Sequence, residues 1–173
     1  MTLEQFHQIS EIIAAVVVAI TLIFLTVQLK QNTKMLRSAA TQGAHDQISD
    51  IYQPLMADES LADIWLRGNQ DPSKLSAVDT ARYFSFWIQT MFDVQNWYFQ
   101  TREGLLDETI LNSFCQVIAN LHKSSPGFVT FWERRKYVYA PDFIRYIEAD
   151  VFTKEMTPGY QPLGLPEESS SLS

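Results

Sequence analysis

Several small groups of residues have the types and spacing that chemistry needs. Glu4-x-x-His7 has the spacing of half a di-iron carboxylate site. Such a site requires a second pair and two more glutamates on facing bundle helices. The later segments offer none, so no metal and no cofactor is expected. His45, Asp46 and Asp50 place an imidazole and a carboxylate about one helical turn apart, which a solvated helix face explains equally well. His122 falls at the end of a helical segment, where a protonated imidazole would favour the helix dipole. Cys115, the only cysteine, sits among Phe114, Val117 and Ile118 and reads as a small buried thiol. One cysteine excludes an intrachain disulfide and a cysteine-based zinc site.

The sharpest group is centred on Asp93. Arg82, Ser85 or Gln89, Asp93, Asn96, Gln100 and Glu103 recur as one narrow polar stripe in an otherwise aromatic segment. Facing inward, Asp93 with Arg82, or with Arg134 or Arg135, would form a buried ion pair or the polar floor of an aromatic pocket. Facing solvent, the stripe is simply the wet side of a helix, and that is the expectation. No catalytic motif rises above background, so the residues leave enzymatic activity open while leaning against it; a small-molecule binding or enzymatic domain is the alternative reading.

These residues must be positioned by helices, and the first helix dominates the chain. Ile12 to Leu29, IIAAVVVAITLIFLTVQL, runs for eighteen residues without a charge, proline or glycine. As a helix it covers roughly 27 Å, close to the ~30 Å hydrocarbon core of a bilayer. It is expected to be a membrane span, and not a cleaved signal peptide, since no Lys or Arg precedes it and no small-x-small cleavage site follows. Glu4 and Glu11 lie before it, Lys30, Lys34 and Arg37 after it. The positive-inside rule then puts the N-terminus outside and the remaining chain in the cytoplasm. Ala15, Ala19 and Thr26 share one face of the span and form a candidate surface for self-association.

The expected organisation is all-α: a short flank at 1–11, the span at 12–29, a helical stalk at 30–57, an aromatic-rich helical bundle at 58–156 and a disordered tail at 157–173. The absence of Gly and Pro between Leu3 and Gln42 permits one unbroken helix into the stalk, and Asp58 to Ser60 cap the next. Ser76 to Asp79 resembles a capping box that opens a long helix from about Ala77 to Glu103, with Gly104 closing it. Asp107 or Thr109, then Ser125-Pro126-Gly127, then Ala140-Pro141-Asp142 mark three further starts. The tail from Thr157 is rich in Pro, Gly and Ser.

Eleven Phe, seven Tyr and four Trp supply the core. The net charge of −7 excludes a phosphate-binding footprint, which needs clustered Lys and Arg, so no nucleic acid is expected as a partner. The partners expected are the lipid bilayer and either further copies of this chain or other subunits of a membrane complex.

The segments ITLIFLTVQLKQNTK, LADIWLRGNQDPSKL, YFQTREGLL and SPGFVTFWERRKYVYAPDFIRYI together resemble a group of uncharacterised bacterial single-span membrane proteins with an N-terminal anchor and a helical cytoplasmic domain. The resemblance implies a bacterial inner-membrane location and carries over no catalytic residue.

Overall fold

A computed structural model describes residues 3–162, apart from the side chains of Gln5, Phe6 and Ile9. Every regular element among the described residues is helical. Helix α1 runs over Leu3–Ala57, α2 over Glu59–Gln70, α3 over Ala77–Arg102, α4 over Glu108–Ser124, α5 over Pro126–Arg135 and α6 over Pro141–Tyr146. Short 3-10 turns at Pro72–Lys74 and Lys136–Val138 and a π turn at Ile147–Val151 join or extend them.

The helix boundaries follow from side chains that satisfy orphan N–H groups. Asp58 accepts from the amides of Ser60 and Leu61 at the start of α2. Ser76 accepts from the Asp79 amide at the start of α3, Asp107 from that of Thr109 before α4, and Ser125 from that of Phe128 before α5. Gly104 closes α3 with φ +69°, a left-handed conformation that costs glycine nothing. Pro126 and Pro141 open their helices at the position where a missing N–H is harmless. Pro54 lies inside α1, in its last turn.

The chain divides into two compact units, 1–40 and 41–173. The boundary falls inside the segment expected as stalk, because Ala44 and Ile51 of α1 are buried in the second unit's core. In the first unit the apolar residues of the expected span are exposed, from 46% at Val27 to 66% at Ile23 and Leu29. It is the one helix among the described residues long and apolar enough to cross a membrane: its best window has mean hydropathy 2.8 and no buried residue.

The second unit is built around α3. Met91, Val94 and Trp97 are fully buried, with Tyr83 and Trp87 nearly so. Around them Phe128 and Phe131 of α5 and Phe114 of α4 meet the α3 rings edge-on or tilted, at centroid distances of 4.8 to 6.2 Å. These are the offset geometries that ring quadrupoles favour. Helices α2 and α5 cross where Gly68 and Gly127 meet; a Cβ on Gly127 would overlap the Gly68 carbonyl oxygen. The crossing therefore requires glycine for close backbone approach.

Residues 157–162 of the expected tail are described. Asn120, buried in α4, accepts from the Thr157 amide and donates to its hydroxyl, both at 3.0 Å. The remainder of the expected disordered tail, 163–173, lies outside the described residues.

Candidate functional site

An open cleft of about 800 Å³ lies in the second unit, between the C-terminal turns of α1 and the N-terminal half of α3. A hydrogen bond across fifty residues joins the two helices that flank it. The Trp97 indole N–H donates to Gln47 Oε1 at 2.6 Å, tying α1 to α3. Ile51, Phe86 and Thr90 form the apolar floor. The Thr90 hydroxyl is spent on the Phe86 carbonyl, 2.9 Å away.

The polar lining comprises Asp50, Asp58, Asp93 and Arg82 together with Gln47, Ser85 and Gln89. Asp58 is committed to capping α2, and these bonds from Ser60 and Leu61 hold its carboxyl below the ordinary value. Asp93 is different. Partial burial raises its carboxyl above the ordinary value, the Gln89 amide at 3.3 Å offsets part of this, and the charge of Asp50 raises it further. Three carboxylates against one guanidinium make the cleft acidic. None of the three histidines lines it, so Ser85 has no imidazole base and no nucleophile pair is present there. The arrangement suits recognition of a cationic group over an apolar floor.

Asp93 and Arg82 share this cleft without forming an ion pair. Eleven residues separate them, three helical turns or roughly 16 Å along α3. Arg134 and Arg135 lie elsewhere, so the structure does not bring them together with Asp93. They line a separate depression of about 450 Å³ with Phe84, Ala77, Thr80 and Ala81, and the Arg135 guanidinium sits 5.5 Å over the Phe84 ring. Phe84 and Asp93 are nine residues apart, two and a half turns, and so occupy opposite sides of α3.

The polar stripe itself faces outward, with Arg82, Ser85, Gln89 and Asn96 exposed. Only Asp93 and Gln100 are drawn part-way in. Gln47 and Asp50 belong to the site although the sequence did not connect them to Asp93, since their helix is distant in the chain.

The other candidates resolve individually. His7 pairs with Glu11 at 3.2 Å, both exposed, and no cluster of metal-binding side chains occurs among the described residues. His45 Nδ1 lies 2.9 Å from the Thr41 carbonyl, while Asp46 accepts from Gln42, so neither forms a unit with Asp50. His122 stacks on Phe152, with centroids 3.7 Å apart. Burial first, and the Lys123 charge second, lower its pKa. The residue lies in the last turn of α4, as expected, with its ring packed on Phe152. Cys115 is buried 3.5 Å from the Tyr146 hydroxyl, and burial raises its thiol pKa, the signature of an unreactive cysteine. On α1, Ala15, Ala19 and Thr26 are exposed. The Thr26 hydroxyl donates to the Leu22 carbonyl at 2.8 Å, so it keeps only acceptor capacity for a neighbouring helix.

Comparisons of the chain with protein-family profiles, with characterised proteins and with solved structures return no match.

Proposed function

We propose that this chain is a membrane-anchored helical interaction protein of the bacterial inner membrane. It either self-associates or serves as an accessory subunit of a larger membrane complex. Residues 12–29 are the anchor, the N-terminus is outside, and the unit from Thr41 onward works in the cytoplasm. The observation that carries the reading is the exposure of the whole apolar segment, with no residue of its best window buried. Eighteen such residues in water would be a severe cost, at about 25 cal/mol per Å² of apolar surface; lipid removes it. Lys30, Lys34 and Arg37 follow the span and favour the stated orientation.

Within this reading Ala15, Ala19 and Thr26 form the contact face in the bilayer. The acidic cleft receives a basic side chain of the partner above Ile51 and Phe86, an arrangement that gives specificity and encounter rate more than affinity. Native mass spectrometry of the full chain from mild detergent, with crosslinking in native membranes, tests the proposal. A dimer, a higher oligomer or a stoichiometric co-purifying membrane protein is expected. A monomer that crosslinks to nothing would contradict it.

The second reading, a small-molecule binding or enzymatic domain, is favoured by one observation: Asp93 and Arg82 line one cleft of ligand size, with the Asp93 carboxyl raised. The separation of Arg134 and Arg135 from that cleft counts against it.

A further inference from the structure

A smaller cavity of about 170 Å³, partly open at the surface beside Tyr52 and Gln161, lies in the unit that begins at Thr41, and unlike the cleft it is almost wholly apolar. Ile51 and Leu55 of α1, Phe114 and Leu121 of α4, and the rings of Trp65 and Trp87 make its wall, and no charged side chain lines it. Apolar cavities on the order of 150 Å³ stay dry and take up single-ring molecules.

The wall is not purely apolar. Trp65 contributes an indole N–H that is buried without a hydrogen-bond partner, a state that costs free energy unless an acceptor arrives. The other indole on the wall, Trp87, lies beside the Tyr83 hydroxyl, though short of a well-formed hydrogen bond. Of the two indoles, Trp65 is therefore the one whose N–H has no acceptor beside it.

One side of the cavity is lined by Tyr160 and Gln161, after the last helical element. That side is built. Asn120 grips Thr157 through two hydrogen bonds, and Gln116 Nε2 donates to the Glu155 carbonyl at 2.8 Å. The Tyr160 amide then closes a turn onto the Thr157 carbonyl at 3.0 Å, with Gly159 at φ +74°. Beyond the clamp, the hydrogen bond found for Tyr160 among the described residues is this backbone bond of the turn.

We propose that this cavity is a binding site for a single-ring apolar molecule carrying one hydrogen-bond acceptor, received by the Trp65 indole N–H and enclosed by Tyr160. The site does not depend on membrane anchoring, and it backs onto the floor of the acidic cleft, with which it shares Ile51, Phe86 and Thr90.

Fluorine NMR on the full chain in detergent micelles tests it, with 4-fluoroacetophenone as the acceptor-bearing probe and fluorobenzene as the probe without an acceptor. Empty micelles report partitioning into detergent alone. The expected result is a saturable, protein-dependent resonance for 4-fluoroacetophenone, with a shift of the Trp65 indole proton on its addition. Val117→Phe, which fills the cavity, abolishes the bound resonance. Trp65→Phe weakens 4-fluoroacetophenone about tenfold, the effect of one neutral hydrogen bond, and changes fluorobenzene less than about twofold. Tyr160→Ala speeds exchange of both probes.

Spectra indistinguishable from empty micelles would overturn the proposal, as would a bound resonance that persists in a folded Val117→Phe variant. If that variant loses its helical circular dichroism, the Trp65 indole proton in the unaltered chain decides: no shift at probe saturation overturns the site. Equal weakening of both probes by Trp65→Phe would overturn the acceptor requirement.

Discussion

The segment Ile12 to Leu29 and helix α3 are both dominated by apolar residues, yet the first is exposed along its length while Met91, Val94 and Trp97 in the second are fully buried. Their compositions differ in kind. The first is aliphatic and β-branched all round, with no polar stripe to mark a wet side. The second is aromatic and carries Arg82, Gln89 and Asn96 along one edge. A stripe tells a helix which side faces water and lets the others be covered by protein. A uniformly apolar helix has no such side, and in the proposed reading lipid covers it. Mean hydropathy already separates the two, since α3 is long enough to cross a membrane but not apolar enough; periodicity adds which side of α3 stays wet.

That contrast breaks most visibly at its centres. Trp97→Ala should destabilise the second unit by about 3–5 kcal/mol through lost burial and the cavity left behind. Chemical denaturation followed by tryptophan fluorescence measures this, and membrane partition should be unchanged. Ile20→Arg should do the reverse, penalising insertion by about 2.5–3.5 kcal/mol while leaving the denaturation midpoint of the second unit where it was. If both substitutions move both readouts, the two regions are not distinct.

A smaller effect sharpens the link between α1 and α3. Gln47→Leu removes the acceptor of the Trp97 indole N–H and leaves a buried donor unpaired, a loss of about 1–3 kcal/mol in the same denaturation experiment. A Gln47→Glu variant, which keeps an acceptor, should lose less.

Two titrations of opposite sign come next. The folded state holds the Asp93 proton more tightly than the unfolded chain, because burial and Asp50 raise its pKa. Stability is therefore lost as pH rises through that raised value. Asp93→Asn should make the protein more stable than the parent at neutral pH, with the advantage vanishing in acid. The His122 pKa is lowered, so its contribution is present above the ordinary imidazole value and is lost as pH falls through the lowered one. His122→Phe should remove that acid-side loss. Denaturation midpoints across a pH series measure both. The smallest effect is in the bilayer: Ala19→Leu should weaken self-association of the full chain by about 1 kcal/mol, read as a shift in the crosslinked fraction.

Much of the fold is legible in the sequence because the caps and breakers are local. Asp58, Ser76, Asp107, Ser125 and Pro141 announce helix starts within four residues, and the structure uses each of them. Gly104 announces an end in the same way. The burial of Ala44 was harder to read, since small residues in a thin stripe resemble a solvated stalk until a partner helix is in place. The candidate site was legible in part. The stripe put Asp93 and Arg82 on one face of α3, but the ion pair considered between them does not form, because eleven residues of helix hold them roughly 16 Å apart along the axis. What the stripe could not show is which helix faces it. Gln47 meets Trp97 from fifty residues away, and Arg135 settles over Phe84 on the far side, because an arginine stacks on an aromatic ring as readily as it pairs with a carboxylate. The clamp of Asn120 on Thr157 was hidden for a related reason: the tail's composition argues for disorder, and one buried amide overrides it at the first few residues.

The central claim is that lipid covers residues 12–29. Membranes from cells expressing the full chain, washed in alkaline carbonate and centrifuged at high speed without detergent, test it most directly. The account predicts that the protein stays in the pellet and is released only by detergent; recovery of the folded full chain in the supernatant would contradict it.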